Sequence, residues 1–84
     1  MYNVGEVMQM KLFRSKAEKE LDMLVFELQQ NLENNYKSVA QEYRKKLGER
    51  VEKLRAEGKL DEKTHAKYRA IFEEYSEKMR DYHH

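Results

Sequence analysis

The histidines are the first residues whose chemistry suggests a metal or proton-transfer site. His83 and His84 are adjacent, and His65 stands eighteen positions earlier, in what we predict to be the first turn of a helix. A histidine pair binds a metal only if further ligands converge on it, and no such ligand lies nearby at the i,i+4 spacing of a helix. The chain also has no cysteine. We therefore expect no metal site and no cofactor.

Carboxylates are numerous but are not arranged for catalysis. Several are followed four positions later by a lysine, as in Glu42 with Lys46 and Glu74 with Lys78, which is typical of a solvated helix surface. No pair of carboxylates is placed where burial would separate the two pKa values, and no Ser–His–acid arrangement is suggested. We predict that the protein is not an enzyme and has no small-molecule substrate.

A cluster of basic residues in the middle of the chain could contact phosphate groups. Its members are Arg44, Lys45, Lys46, Arg50, Lys53 and Arg55. Four glutamates lie among or beside them, two within the cluster and two flanking it, and at helical spacing the cations spread around the helix and form no single stripe. We interpret the cluster as a solvated face and regard nucleic acid as an unlikely partner, with weak nucleic-acid binding or regulation as the alternative function.

Composition indicates long helices. Charged residues make up 39% of the 84 residues, apolar residues another 39%, and proline is absent. The net charge of +1 provides no general attraction to nucleic acid or membranes. The longest apolar run, "MLVF", is far shorter than the roughly 20 residues that cross a bilayer, and the first ten residues lack the pattern of a secretory signal. We expect no membrane association and a cytoplasmic location.

Helical spacing and capping signals predict three helices, at about 3–33, 36–57 and 62–82, in a single domain spanning 1–84. Asn3 with Glu6 marks the expected start of the first helix, and Ser15 with Glu18 is a second signature of the same kind. Gly58 is a helix stop, and Asp61 caps the last helix. The fold class is therefore all-α.

The stretch "FELQQNLENNYKSVAQEY" leaves the architecture open. Asn34 and Asn35 are poor helix formers and indicate a turn, which would produce a three-helix bundle, with a helical hairpin at 36–82 and a longer N-terminal helix. The apolar stripe nevertheless continues in phase through the asparagines. The alternative is one long helix at 3–57 with a shorter C-terminal helix, dimerised through its uncovered half.

An antiparallel hairpin centred near Lys59 predicts which residues face each other. Apolar positions then meet apolar positions along the whole length of the hairpin. The predicted pairs are Tyr43 with Tyr75, Val39 with Met79, Leu47 with Ile71 and Tyr36 with Tyr82.

Apolar residues near the start of the chain exceed what the bundle can cover. A first helix beginning near residue 3 would overhang the other two, and its exposed apolar side chains would need a partner. The predicted contact residues are Val4, Val7, Met8, Met10, Leu12 and Phe13. We accordingly expect a small helical interaction module without enzymatic activity, which either self-associates as a homodimer or binds a helix of another protein.

Overall fold

Three helices, each antiparallel to the one before it, form the part of the protein that the computed structural model describes, residues 15–80. They are α1 (Lys16–Glu33), α2 (Lys37–Ala56) and α3 (Glu62–Lys78). The most extensive contact is between α1 and α2. The prediction of an all-α three-helix bundle is confirmed.

The start of α1 is defined by a side-chain cap. Ser15 has an extended backbone (φ −64°, ψ 160°), and its Oγ accepts a hydrogen bond from the Glu18 N–H at 3.1 Å. A residue in this conformation ends the helical pattern on its N-terminal side, because the N-cap has non-helical dihedral angles. The predicted start near residue 3 is therefore wrong. At 18 residues, α1 is shorter than the 20-residue α2 and is not the longer helix that was expected.

The chain turns back at the asparagines, so the alternative of one continuous helix at 3–57 is wrong. Asn35 has a left-handed backbone (φ 65°), a conformation that asparagine tolerates better than most residues do. The Tyr36 N–H donates to the Asn31 carbonyl oxygen at 2.8 Å, and the Asn35 N–H donates to the Leu32 carbonyl oxygen at 3.1 Å. This pair of bonds is a Schellman motif, which satisfies carbonyls that a helix end would leave without a partner.

The first turn of α2 lacks a side-chain cap. Tyr36 occupies the N-cap position and makes no capping hydrogen bond through its side chain. Ser38 and Gln41 have the spacing of a capping box, but both lie inside α2 and do not cap it. The Gln41 amide instead donates to the Met79 carbonyl oxygen, at 3.4 Å, and so connects α2 to the end of α3.

The second turn follows the sequence signals. Gly58 adopts φ 76°, and the Lys59 N–H donates to the Leu54 carbonyl oxygen at 2.9 Å, as in the first turn. Asp61 then caps α3 by accepting the Thr64 N–H at 2.7 Å. This backbone hydrogen bond lowers the pKa of the Asp61 carboxyl group, because it stabilises the charged form.

The core consists of aliphatic side chains from α1, from α2 and from the loop before α3, together with Tyr68 on α3 and Met79 at its C-terminal cap. Each of its members is at most 8% exposed. They are Ala17, Leu21, Leu28, Ala40, Leu47, Val51, Leu54, Leu60, Tyr68 and Met79.

The hairpin of α2 and α3 has nearly the predicted register. The Arg44 guanidinium donates to Ser76 Oγ at 3.1 Å, and His65 Nε2 lies 3.0 Å from a Glu52 carboxylate oxygen. Both contacts lie within about two positions of the expected pairing.

Two members of the expected hairpin pairs do not enter the core. Val39 is 40% exposed and Tyr36 is 61% exposed. The neighbouring Ala40 is fully buried, so the buried face at the start of α2 is shifted by one position from the predicted one, whereas Leu47 farther along α2 is buried as expected. Because Ala40 is small, α2 can approach its neighbours closely at this level. Tyr82, the expected partner of Tyr36, lies outside the described residues.

Gly48 allows α3 to approach α2. A Cβ atom at this position would lie 2.6 Å from Phe72 Cε1, closer than real Cβ contacts allow. We predict that Gly48→Ala lowers the free energy of unfolding by about 1 kcal/mol, because overpacking of roughly 1–3 kcal/mol exceeds the gain of about 1 kcal/mol in helix propensity. Urea denaturation of the purified chain measures the change.

The Phe72→Leu background provides the control for this prediction. Without the aromatic ring, Gly48→Ala should stabilise the protein, because the difference in helix propensity then acts alone. A Gly48→Ala protein that is more stable than wild type in the presence of Phe72 would contradict the close approach of the two helices.

Candidate interaction surface

The outer face of α1 carries two large apolar side chains that the bundle leaves exposed. Met23 is 63% exposed and Phe26 is 57% exposed. They are three positions apart on one helix, so they lie side by side. Leu21 and Leu28, on the opposite side of the same helix, are fully buried. An exposed apolar pair of this kind is typical of a surface that contacts another protein.

The contact residues expected from the sequence are a different set from Met23 and Phe26. Val4, Val7, Met8, Met10, Leu12 and Phe13 lie outside the described residues. The sequence contains a signal for the exposed pair, because the segment "LDMLVFEL" is apolar on more than one face of a helix and one bundle buries only one of those faces.

Two of the six candidate phosphate-contacting residues bind other parts of the bundle. The Arg50 guanidinium forms two hydrogen bonds to the Glu20 carboxylate, at 2.7 and 2.8 Å, and so joins α2 to α1. Arg44 donates to Gln41 and to Ser76 and lies 5.7 Å from the centre of the Phe72 ring.

The other four basic residues are exposed on α2. The Lys46 ammonium lies 5.2 Å from the centre of the Tyr43 ring. Lys45, Lys53 and Arg55 are also exposed. At 100° per residue these four side chains point in several directions around α2, so the cluster does not form one continuous cationic surface.

The Arg50–Glu20 ion pair has the geometry of a strong surface contact. Both guanidinium–carboxylate bonds are short, and the arrangement is bidentate. The hydrogen bond from Arg50 is the main cause that lowers the pKa of the Glu20 carboxyl group. Because the folded-state pKa is lowered, this contact stabilises the fold above the ordinary pKa of a glutamate and is lost as the pH falls through the lowered value.

A second polar cluster joins α2 and α3 around Glu52. Its carboxylate lies 3.0 Å from His65 Nε2 and 3.4 Å from the Arg69 guanidinium, which also contacts Glu73 at 2.9 Å. The hydrogen bond with His65 is the main cause that lowers the pKa of Glu52. The Glu52 carboxylate is about half exposed and Arg69 carries the opposite charge, so the cluster is an ordinary interhelical polar network.

A shallow cleft of about 220 Å³ lies where the N-termini of α1 and α3 meet. Helix N-termini attract anions, but the Asp61 carboxylate already caps α3 here, and Glu18 accepts a hydrogen bond from the Thr64 hydroxyl at 3.4 Å. The chain's own carboxylates thus fill the role of an anionic ligand.

Residues 15–80 contain neither a cluster of metal-ligating side chains nor a membrane-spanning helix. No group of three or more His, Asp or Glu side chains there is placed to hold a metal ion. None of the three helices is long and apolar enough to cross a membrane. His83 and His84 lie outside the described residues.

Comparison of the chain with protein-family models, with curated proteins and with solved structures finds no significant match.

Proposed function

We propose that this chain is a small helical interaction module without enzymatic activity, and that the outer face of α1 is its contact surface. The observation that carries the proposal is the exposure of Met23 and Phe26 side by side on a helix whose other apolar side chains pack inward. Burying a large apolar side chain completely contributes about 1.5–3 kcal/mol, so covering this pair is a substantial driving force for association.

The surrounding side chains also favour a protein contact. Lys19 and Gln30 flank the apolar pair and are exposed. An apolar centre with a polar rim is the usual anatomy of a protein–protein interface. The partner in this proposal is a second copy of the chain or a helix of another protein, and residues 4–13 remain predicted contributors to the contact. The cytoplasmic location expected from the sequence belongs to the same proposal.

Association should be apolar in character and should depend on these two side chains. We expect the wild-type chain to sediment faster as its concentration is raised, and this behaviour to persist at high salt, because apolar burial is not screened by salt. Replacing both Met23 and Phe26 with glutamate should abolish it. Sedimentation velocity over a concentration series, with helicity checked by circular dichroism, measures the effect.

Val39→Glu is the matched control, because Val39 is also an exposed apolar residue but lies on α2. It should leave association unchanged. Equal loss in the control and in the α1 variant would contradict a specific role for the outer face of α1. Nucleic-acid binding that disappears between low and moderate salt would favour the alternative function of the basic cluster.

A further inference from the structure

The exposed face of α1 has a heptad pattern along its whole length. Six exposed residues follow one another along the helix at spacings that alternate between three and four positions. They are Lys16, Lys19, Met23, Phe26, Gln30 and Glu33. Alternating steps of three and four bring successive side chains to the same seam of a helix, as at the a and d positions of a coiled coil. We call these six residues the outer seam.

The outer seam of one copy is complementary to the outer seam of a second copy that runs in the opposite direction. If a second α1 runs antiparallel, with the two-fold axis between residues 24 and 25, Met23 lies opposite Phe26 of the second copy. The same register places Lys19 opposite Gln30 and Lys16 opposite Glu33. Each end of the contact then holds a cation facing an anion, and the middle is apolar.

A parallel arrangement lacks this complementarity. Lys16 would face Lys16, Lys19 would face Lys19 and Glu33 would face Glu33, so like charges would oppose each other. Like-charged groups placed opposite each other at an interface are unfavourable and suppress that mode of pairing. Charge therefore selects the antiparallel arrangement.

Side chains on the flank of the seam are compatible with this contact. Glu20 of one copy and Glu27 of the other approach each other in the antiparallel register. The charge of Glu20 is already offset by the bidentate bonds from Arg50. At the end of the seam, one carboxylate oxygen of Glu33 accepts an exposed hydrogen bond from the Gln29 amide at 3.2 Å, and the other oxygen can accept a bond from Lys16 of the second copy.

We propose that two copies of the chain associate through antiparallel packing of their α1 helices along the outer seam, with Lys16 of each copy paired to Glu33 of the other. The partner is thus a second copy of this chain. The proposal rests on the proposed function and specifies its partner and register. A two-fold contact of this kind is isologous, which is the commonest symmetry of soluble oligomers. Because the seam spans a single 18-residue helix, we expect a weak, reversible dimer.

Disulfide trapping tests the register directly, since the chain has no cysteine of its own. Under mild oxidation, a mixture of Lys16→Cys and Glu33→Cys chains should form a crosslinked heterodimer, because the two positions meet across the two-fold axis. Each variant alone should form little crosslinked dimer. In this register, residue 16 of one copy would lie about 25 Å along the helix axis from residue 16 of the other copy, at 1.5 Å per residue. A disulfide needs Cα atoms roughly 4.4–6.8 Å apart.

Charge exchange provides a second test without crosslinking. Lys16→Glu alone and Glu33→Lys alone should each weaken self-association by at least about threefold, because both ends of the dimer then hold like charges. Mixing the two variants should restore association to the wild-type level, since every end of the heterodimer again holds opposite charges. The double variant carrying both changes should also associate like wild type.

The outcomes separate this proposal from the proposed function. Crosslinking of each single-cysteine variant with itself, or charge exchange without effect, would overturn the antiparallel register. If Met23→Glu with Phe26→Glu still abolished association in that case, the outer face of α1 would remain the contact surface. A wild-type chain that stays monomeric over the whole concentration series would overturn the dimer, and a face covered by another protein or by residues 1–13 would then be the surviving interpretation.

Discussion

Replacing Leu47 with alanine is expected to lower the free energy of unfolding by about 3 kcal/mol. Leu47 lies on α2 and is fully buried in the core that the three helices share. Deleting a buried leucine side chain to the β-carbon costs roughly 2–5 kcal/mol, because apolar burial is lost and a cavity remains. A domain of this size has only about 5–10 kcal/mol of stability in total, so the effect should be large.

Val39→Ala is the matched comparison for this prediction. Val39 lies on the same helix but is 40% exposed, so its truncation should change the free energy of unfolding by less than about 0.5 kcal/mol. Chemical denaturation of both variants, fitted with a common slope, gives the two values. Equal effects at the two positions would show that α2 does not bury the face described here.

Replacing Tyr68 with alanine should have a comparable or larger effect. Tyr68 is 1% exposed and is the largest fully buried side chain among the described residues. Its ring belongs to the core, and its hydroxyl donates a hydrogen bond to the Asp22 carboxylate on α1. Truncation therefore removes both the aromatic packing between helices and a hydrogen bond to a charged group. We expect a loss of about 3–5 kcal/mol, the usual cost of truncating a buried aromatic residue.

Tyr68→Phe separates these two contributions. It keeps the ring and removes only the hydroxyl, so the loss should be about 1–2 kcal/mol, since hydrogen bonds to charged groups are worth roughly 1.5–3 kcal/mol and water can reach the half-buried Asp22. Thermal and urea denaturation of the two variants measure both losses. A phenylalanine variant as unstable as the alanine variant would show that the hydrogen bond, and not the packing, holds α3 against α1.

Local sequence signals correctly predicted the end of α2 and the start of α3, because these helix ends depend only on residues close by in the chain. Gly58 and Asp61 act within four or five residues of themselves, through backbone geometry and one capping bond, and both behave as expected. The start of α1 was misplaced because two capping signatures of the same type compete near the start of the chain. A capping signature is a local preference, and choosing between two of them requires knowing how far the helix packs against its neighbours.

The sequence by itself determined the all-α fold class, the boundary between the last two helices and the approximate register of the hairpin. These properties follow from helical periodicity, caps and stops, which act over one or two turns. Tertiary structure decided that the chain turns at Asn35, that Ala40 and not Val39 enters the core, and that Arg50 binds Glu20. It also decided which apolar face of α1 is buried and left Met23 and Phe26 outside. The physical reason is that a helix with apolar residues on several faces has no intrinsic orientation. Only packing against the other two helices selects the face that becomes buried from solvent.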